Sequence, residues 1–211
     1  MKRIASIICL LIPFTSMAQV SIGLKGGINF ANVSNASSIN NSNRTGFNVG
    51  LFLEPGKAKV LLYRTELTFS RQGYNFSTNT NTGNVNLDYI MSSHFICINI
   101  THLFQVHFGG QIAYLISAKA DSTSKTSGQP GSSTVLGYSV RADYGLGAGV
   151  EVRPVLGFLF GLRYNLSLSS VYNSNTLASG QPPTYTPPNA HNNVVQLYAG
   201  WKFGNKTDKD K

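Results

Sequence analysis

Cysteine is almost missing from this chain: Cys9 and Cys97 are the only two in 211 residues. Cys9 falls in an N-terminal apolar run that reads as removable, which leaves one thiol and no intramolecular disulfide. The fold must then be held by packing and hydrogen bonds. Charge is scarce as well, at 12% of residues, and the eight acids are outnumbered by seventeen bases. At 42% hydrophobic the chain is nevertheless too apolar to stay disordered. After the N-terminal run, no stretch approaches the roughly 20 consecutive apolar residues of a membrane helix. Any membrane crossing has to be made by strands.

The N-terminus has the three parts of a secretory signal: Lys2-Arg3, the apolar run Ile4 to Phe14, and the small-residue site Ser16-Met17-Ala18 before Gln19. We expect a signal peptide over 1–18, a single domain over 19–204 and a charged tail over 205–211. Removing Lys2 and Arg3 lowers the formal charge from +9 to about +7. The remaining basic residues stand singly, without a run interleaved with aromatics, so nucleic acid is not an expected partner. Anionic lipid head groups, polysaccharide or plain solvation would each account for the excess.

Alternation is the dominant pattern, and it is clearest from Leu136 to Ser169. There Val140, Ala142, Tyr144, Leu146, Ala148 and Val150 form one apolar face. Arg153-Pro154 breaks the run, and Phe158, Phe160, Leu162, Tyr164, Leu166 and Leu168 form the next. The pattern predicts a hairpin of two long strands. Similar alternation marks Val20 to Phe30, Thr45 to Leu53, Val60 to Arg71, Phe104 to Ile116 and Val194 to Phe203. A further strand is expected over Leu87 to Ile100, but Ser92-Ser93-His94 interrupts it and its faces cannot be assigned.

These make about eight strands, and the connections sort by parity. Long polar loops are expected at Ala31 to Arg44, Gly73 to Asn86, Ala118 to Thr134 and Ser169 to Asn193, with short turns such as Glu54-Pro55-Gly56-Lys57 between them. Short turns on one side and long loops on the other are the habit of outer-membrane barrels. In hydrocarbon an unpaired N–H or C=O costs several kcal/mol, so the sheet must close and Val194 to Phe203 must pair with Val20 to Phe30. The expected fold is all-β: an eight-stranded antiparallel up-and-down transmembrane β-barrel with short periplasmic turns and long extracellular loops.

The chain also resembles a known group, the small outer-membrane β-barrel proteins of Bacteroidetes that include PorT-like proteins. The residues that carry the likeness are Met17-Ala18-Gln19, Gly23 to Val33, Asp88-Tyr89-Ile90, Gly109 to Lys119, Gly161 to Leu168 and Leu197 to Phe203. The resemblance implies an outer-membrane location in a Gram-negative cell and says little of activity. For the PorT-like members it implies an accessory part in protein secretion.

An eight-stranded barrel has an interior just wide enough to be filled by side chains, which argues against an open porin channel. Arg64, Glu66, Arg141, Asp143, Glu151 and Arg163 lie opposite the apolar faces and are expected in the lumen. Two readings stay open: a polar ligand site or proton path, and a salt-bridge network that neutralises its own charges. His107, beside Gln105 and Gln111, could serve as the base of a lipid-modifying barrel enzyme, but no Gly-x-Ser-x-Gly elbow accompanies it. No catalytic residue is therefore assigned. His94, His102, His107 and His191 are scattered, and neither a metal site nor a cofactor is expected.

Tyr63, Phe69, Tyr114, Tyr164, Tyr172, Tyr198 and Trp201 are candidates for interfacial aromatic girdles. Expected partners are outer-membrane lipid and, through the long loops, extracellular or envelope proteins. A soluble periplasmic ligand-binding barrel is the remaining alternative. The main expectation is a non-enzymatic barrel with a structural or binding role at the cell envelope.

Overall fold

The computed structural model describes residues 20–56, 60–155, 157–172, 183 and 185–203. The expected signal peptide and charged tail lie outside the described residues. Within them are the strands β1 (Val20–Ser34), β2 (Asn40–Pro55), β3 (Leu61–Ser77), β4 (Asn81–Asn99), β5 (Phe104–Ser124), β6 (Pro130–Thr134), β7 (Ala142–Val152), β8 (Phe158–Ser167) and β9 (His191–Lys202). Eight of them form one antiparallel ring in chain order, with β5 pairing directly with β7 and β6 left out.

Closure runs from Gly23↔Lys202 to Ser34↔His191, so the last strand lies along the first and the ring has no edge. The strand β6 pairs with the far end of β5, from Lys119↔Thr134 to Thr123↔Pro130, and lengthens a hairpin beyond the ring.

Alternation puts successive side chains on opposite faces, and the ring uses this to reverse the usual arrangement. Along β8, Phe158, Phe160, Leu162 and Tyr164 are exposed, while Leu159, Arg163, Asn165 and Ser167 are buried. The neighbouring walls repeat it with exposed Leu24, Ile28, Leu51, Leu67, Phe108, Ile112, Leu146 and Leu197. An apolar belt of this extent on a monomer marks a surface meant for a nonaqueous or partner environment. Lumenal glycines make room for rings: a methyl at Gly161 would sit 2.2 Å from the Tyr198 ring, and one at Gly23 would sit 2.1 Å from Phe52.

Three expectations are corrected. The segments expected as long loops at Ala31 to Arg44, Gly73 to Asn86 and Ala118 to Thr134 are mostly strand, with turns only at 35–39, 78–80 and 125–129. These extensions are rich in Asn, Ser and Thr on both faces, so hydrophobic alternation fails although the backbone ladder continues. Second, Leu136–Tyr138 forms a short 3-10 turn, and the strand of the expected hairpin begins only at Ala142. Third, Ser92 and His94 continue the outward face of β4 without interruption, and Ser93 is buried. The long hairpins project from the end opposite the chain termini.

Candidate functional site

The lumen is filled in three layers. Nearest the chain termini, seven of the eight walls contribute to one polar cluster: Lys25, Glu54, Arg64, Glu66, Gln105, His107, Glu151, Arg163, Tyr198 and Lys202, joined by Arg153 just past β7. Arg64 bridges Glu54 at 2.7 Å and Glu151 at 2.8 Å. Arg163 grips both oxygens of Glu66, at 2.7 and 2.9 Å. Lys25 completes the Glu66 site from β1. Arg153 and Lys202 add contacts of 3.1 and 3.0 Å to Glu54.

Five cations thus share three carboxylates. The surplus sits with Arg153 and Lys202 at the mouth, where the Arg153 side chain keeps 20% of its exposure. Rings absorb part of the buried charge, with the Arg163 guanidinium 4.0 Å from the Phe95 centroid and that of Arg64 4.9 Å from Phe52. His107 accepts a hydrogen bond from Arg163 Nε through Nε2 at 3.0 Å, which puts its own proton on Nδ1. Among the described residues no hydroxyl or thiol is hydrogen-bonded to His107, and Arg163 occupies its Nε2.

The middle layer is neutral and amide-rich. Asn29 donates to Phe47 O, Ser70 Oγ and Arg71 O within 3.0 Å, and Asn48 donates to Asn29 at 2.7 Å. Gln72 accepts from Asn192 across the lumen.

The outer layer is apolar and aromatic. Tyr74, Phe76, Val85, Leu87, Tyr89 and Leu115 from the projecting hairpins pack against Val135, Val171, Tyr172 and Tyr185. The Tyr74 and Tyr172 hydroxyls lie 2.6 Å apart, Tyr74 also donates to Tyr185 O at 2.7 Å, and the Phe76 and Tyr185 rings stack at 4.5 Å. Burial pushes the Tyr172 phenol well above its ordinary range. The described parts of the segment after β8 therefore fold inward as a cap.

Of the six residues expected in a lumenal charged network, Arg64, Glu66, Glu151 and Arg163 share the inner cluster. Arg141 is exposed just before β7, and Asp143 is half-buried toward the outer end, accepting from Ser167 at 2.6 Å and from Ser169. Arg141 stays out because the strand starts one residue later. Lys25, Glu54, Arg153 and Lys202 join that cluster from outside the expected set. The sequence marks Glu54 as turn and Arg153 as strand break, yet each continues the inward parity of its strand, after Phe52 and Glu151. Tyr172 and Tyr198 are buried and leave the expected girdles, whereas Tyr63, Tyr114, Tyr164 and Trp201 are exposed.

Residues 15–173 match the outer membrane protein beta-barrel domain family. The chain belongs to that family. Among solved structures it is similar to Neisserial surface protein A, at 15% identity over 87% of this chain and 99% of that one, with a TM-score of 0.50. Ail, the attachment invasion locus protein of Yersinia pestis, matches at 17% identity over 88% and 99% of the two chains, with a TM-score of 0.49. No curated protein matches the chain.

This outer-membrane barrel protein thus turns its apolar belt to lipid, and the exposed Phe158, edge-on to Trp201 at 4.4 Å, lies at the periplasmic rim. The salt-bridge cluster is the periplasmic half of the lumen, and the aromatic cap is its extracellular end.

Proposed function

We propose that this protein is a closed, non-enzymatic barrel of the cell envelope, exported by a signal peptide over residues 1–18, whose working surface is the extracellular cap. One observation carries the reading: charged, amide and aromatic layers occupy the lumen in succession, and the buried carboxylates and cations of the inner layer are bonded to one another. Buried charges persist when paired, and these are paired several times over. Four walls, β2, β3, β7 and β8, are tied by Arg64 to Glu54 and Glu151 and by Glu66 to Arg163, which makes the cluster a cross-brace. What remains free to meet partners is the set of hairpins β3–β4 and β5–β6 with the segment after β8, built on a rigid ring.

Reconstitution in planar lipid bilayers tests this. The expected result is no steady conductance from the purified protein, and a persistent open channel would overturn it. The likeness to PorT-like proteins supports a second reading, an accessory part in secretion. Under it, deleting the gene leaves exported cargo inside the cell, and under the first it does not.

A further inference from the structure

The belt that faces lipid carries a polar patch at mid-height. Thr65 on β3 pairs with His94 on β4, His94 pairs with Gly110 on β5, and Ser92 lies one outward position above His94. The Tyr63 hydroxyl is 2.7 Å from His94 Nδ1, and Ser92 Oγ is 3.2 Å from Nε2. Outward apolar positions on β3 run from Leu61 to Phe69, so Thr65 is at the centre, and on β5 they run from Phe104 to Ile116, so Gly110 is. At about 3.3 Å per residue and a tilt near 40°, the patch lies about 10–15 Å from either edge of the belt.

That depth decides what the patch can meet. Ser92 beside His94 has the look of a nucleophile and its base, but phospholipid ester groups lie at the edge of the hydrocarbon, not at its centre. Lipid tails at mid-height offer no polar atom. Yet the patch has a donor to spare: the His94 ring and the Tyr63, Thr65 and Ser92 hydroxyls hold at least four protons, and the three contacts among them use at most three. Whichever tautomer His94 adopts, one hydroxyl proton points away from the ring.

We propose that this patch is the contact for a second copy of the chain within the membrane. A two-fold axis along the membrane normal keeps every residue at its own depth, so the second copy brings the same hydroxyls and imidazole to the same height. These groups both donate and accept, which makes the patch self-complementary. Gly110 beside His94, and the small Ser92, let the two walls approach closely, as small residues do at helix contacts in membranes.

Cysteine cross-linking in outer-membrane fractions tests this. Leu67→Cys, next to Ser92, should give a disulfide-linked dimer on mild oxidation, while Leu162→Cys on β8 should give at least tenfold less. Cys97 is buried and adds no background. Thr65→Val, Ser92→Val and His94→Leu, combined in the Leu67→Cys background, should abolish the dimer while the barrel keeps its heat-dependent gel migration, which shows that it is folded. Equal cross-linking at Leu67 and Leu162, or an undiminished dimer in the combined variant, would overturn the proposal. Labelling of Ser92 by a fluorophosphonate would overturn it too, in favour of lipid hydrolysis.

Discussion

Arg163 meets Glu66 with two parallel hydrogen bonds across the lumen, from β8 to β3, and both side chains are buried. These strands are far apart around the ring, so the pair is a strut between walls that share no ladder. The strut is also asymmetric. Glu66 serves Lys25 and Arg163 together, whereas Arg163 has the Phe95 face and His107 besides Glu66.

Removing Glu66 therefore strands two buried cations, and removing Arg163 strands less. Breaking a buried pair from one side typically costs about 3–5 kcal/mol. Glu66→Ala is expected at or above the top of that range, and Arg163→Met, which also lowers the surplus of positive charge, below it. Urea unfolding of the folded barrel in lipid vesicles, followed by Trp201 fluorescence, ranks the two variants. An equal loss would mean that the cluster shares its charge more evenly than its geometry indicates.

Gly161 and Tyr198 make a second pair, of shape rather than charge. The phenol ring covers the glycine so closely that any Cβ must displace it. Gly161→Ala is expected to destabilise the barrel by about 1–3 kcal/mol, the usual range for overpacking. Tyr198→Leu in the same chain should recover part of that loss. Additive losses in the double variant, measured by the same unfolding, would show that the ring yields freely.

Reading hydrophobic periodicity in the sequence recovers the parts of this fold that touch lipid. Phe158, Phe160 and Leu162 declare their face because the belt requires apolar residues at every second position. No such requirement holds above the belt, where the ladder continues through Asn40 to Arg44 and Asn81 to Asn84 with polar groups on both sides. Those strand ends are invisible to periodicity. Within the lumen, parity identifies Arg64, Glu66, Glu151 and Arg163 as inward but cannot say which of them meet, since contacts across a barrel depend on closure and tilt. Glu54 and Arg153 were hidden for a different reason: proline follows each, and a turn signal masks the last inward position of the strand.

The cap makes a prediction that depends on pH. In the folded state burial raises the Tyr172 phenol above its unfolded value of about 10. A raised folded value means that the stabilisation is complete below the unfolded pKa and is lost as pH climbs from there toward the folded value. The cap should hold from neutrality to about pH 9 and loosen above about pH 10. Limited proteolysis of intact cells across this range should show cleavage after β8 increasing at high pH while the barrel itself stays resistant. Tyr172→Phe, which cannot ionise and loses a hydrogen bond to Tyr74 worth about 1 kcal/mol, should be cut faster at neutral pH and with a weaker rise.

The lipid-facing belt predicts a dependence on depth along a single strand. Leu162 lies midway along the outward face of β8, while Leu168, just past its end, is bonded through its backbone to Tyr144 at the extracellular rim. A lysine in place of a lipid-facing residue costs about 2–4 kcal/mol at the bilayer midplane and about 0–1 near the interface. Leu162→Lys should therefore fold far less stably than Leu168→Lys in vesicles, although both leucines are exposed to the same 45% in the isolated chain. Exposure alone would rank them equal, and only hydrocarbon around β8 separates them. If both variants unfold at the same urea concentration, the belt does not span a bilayer in the register argued from Leu61 to Phe69, and the mid-membrane depth of His94 falls with it.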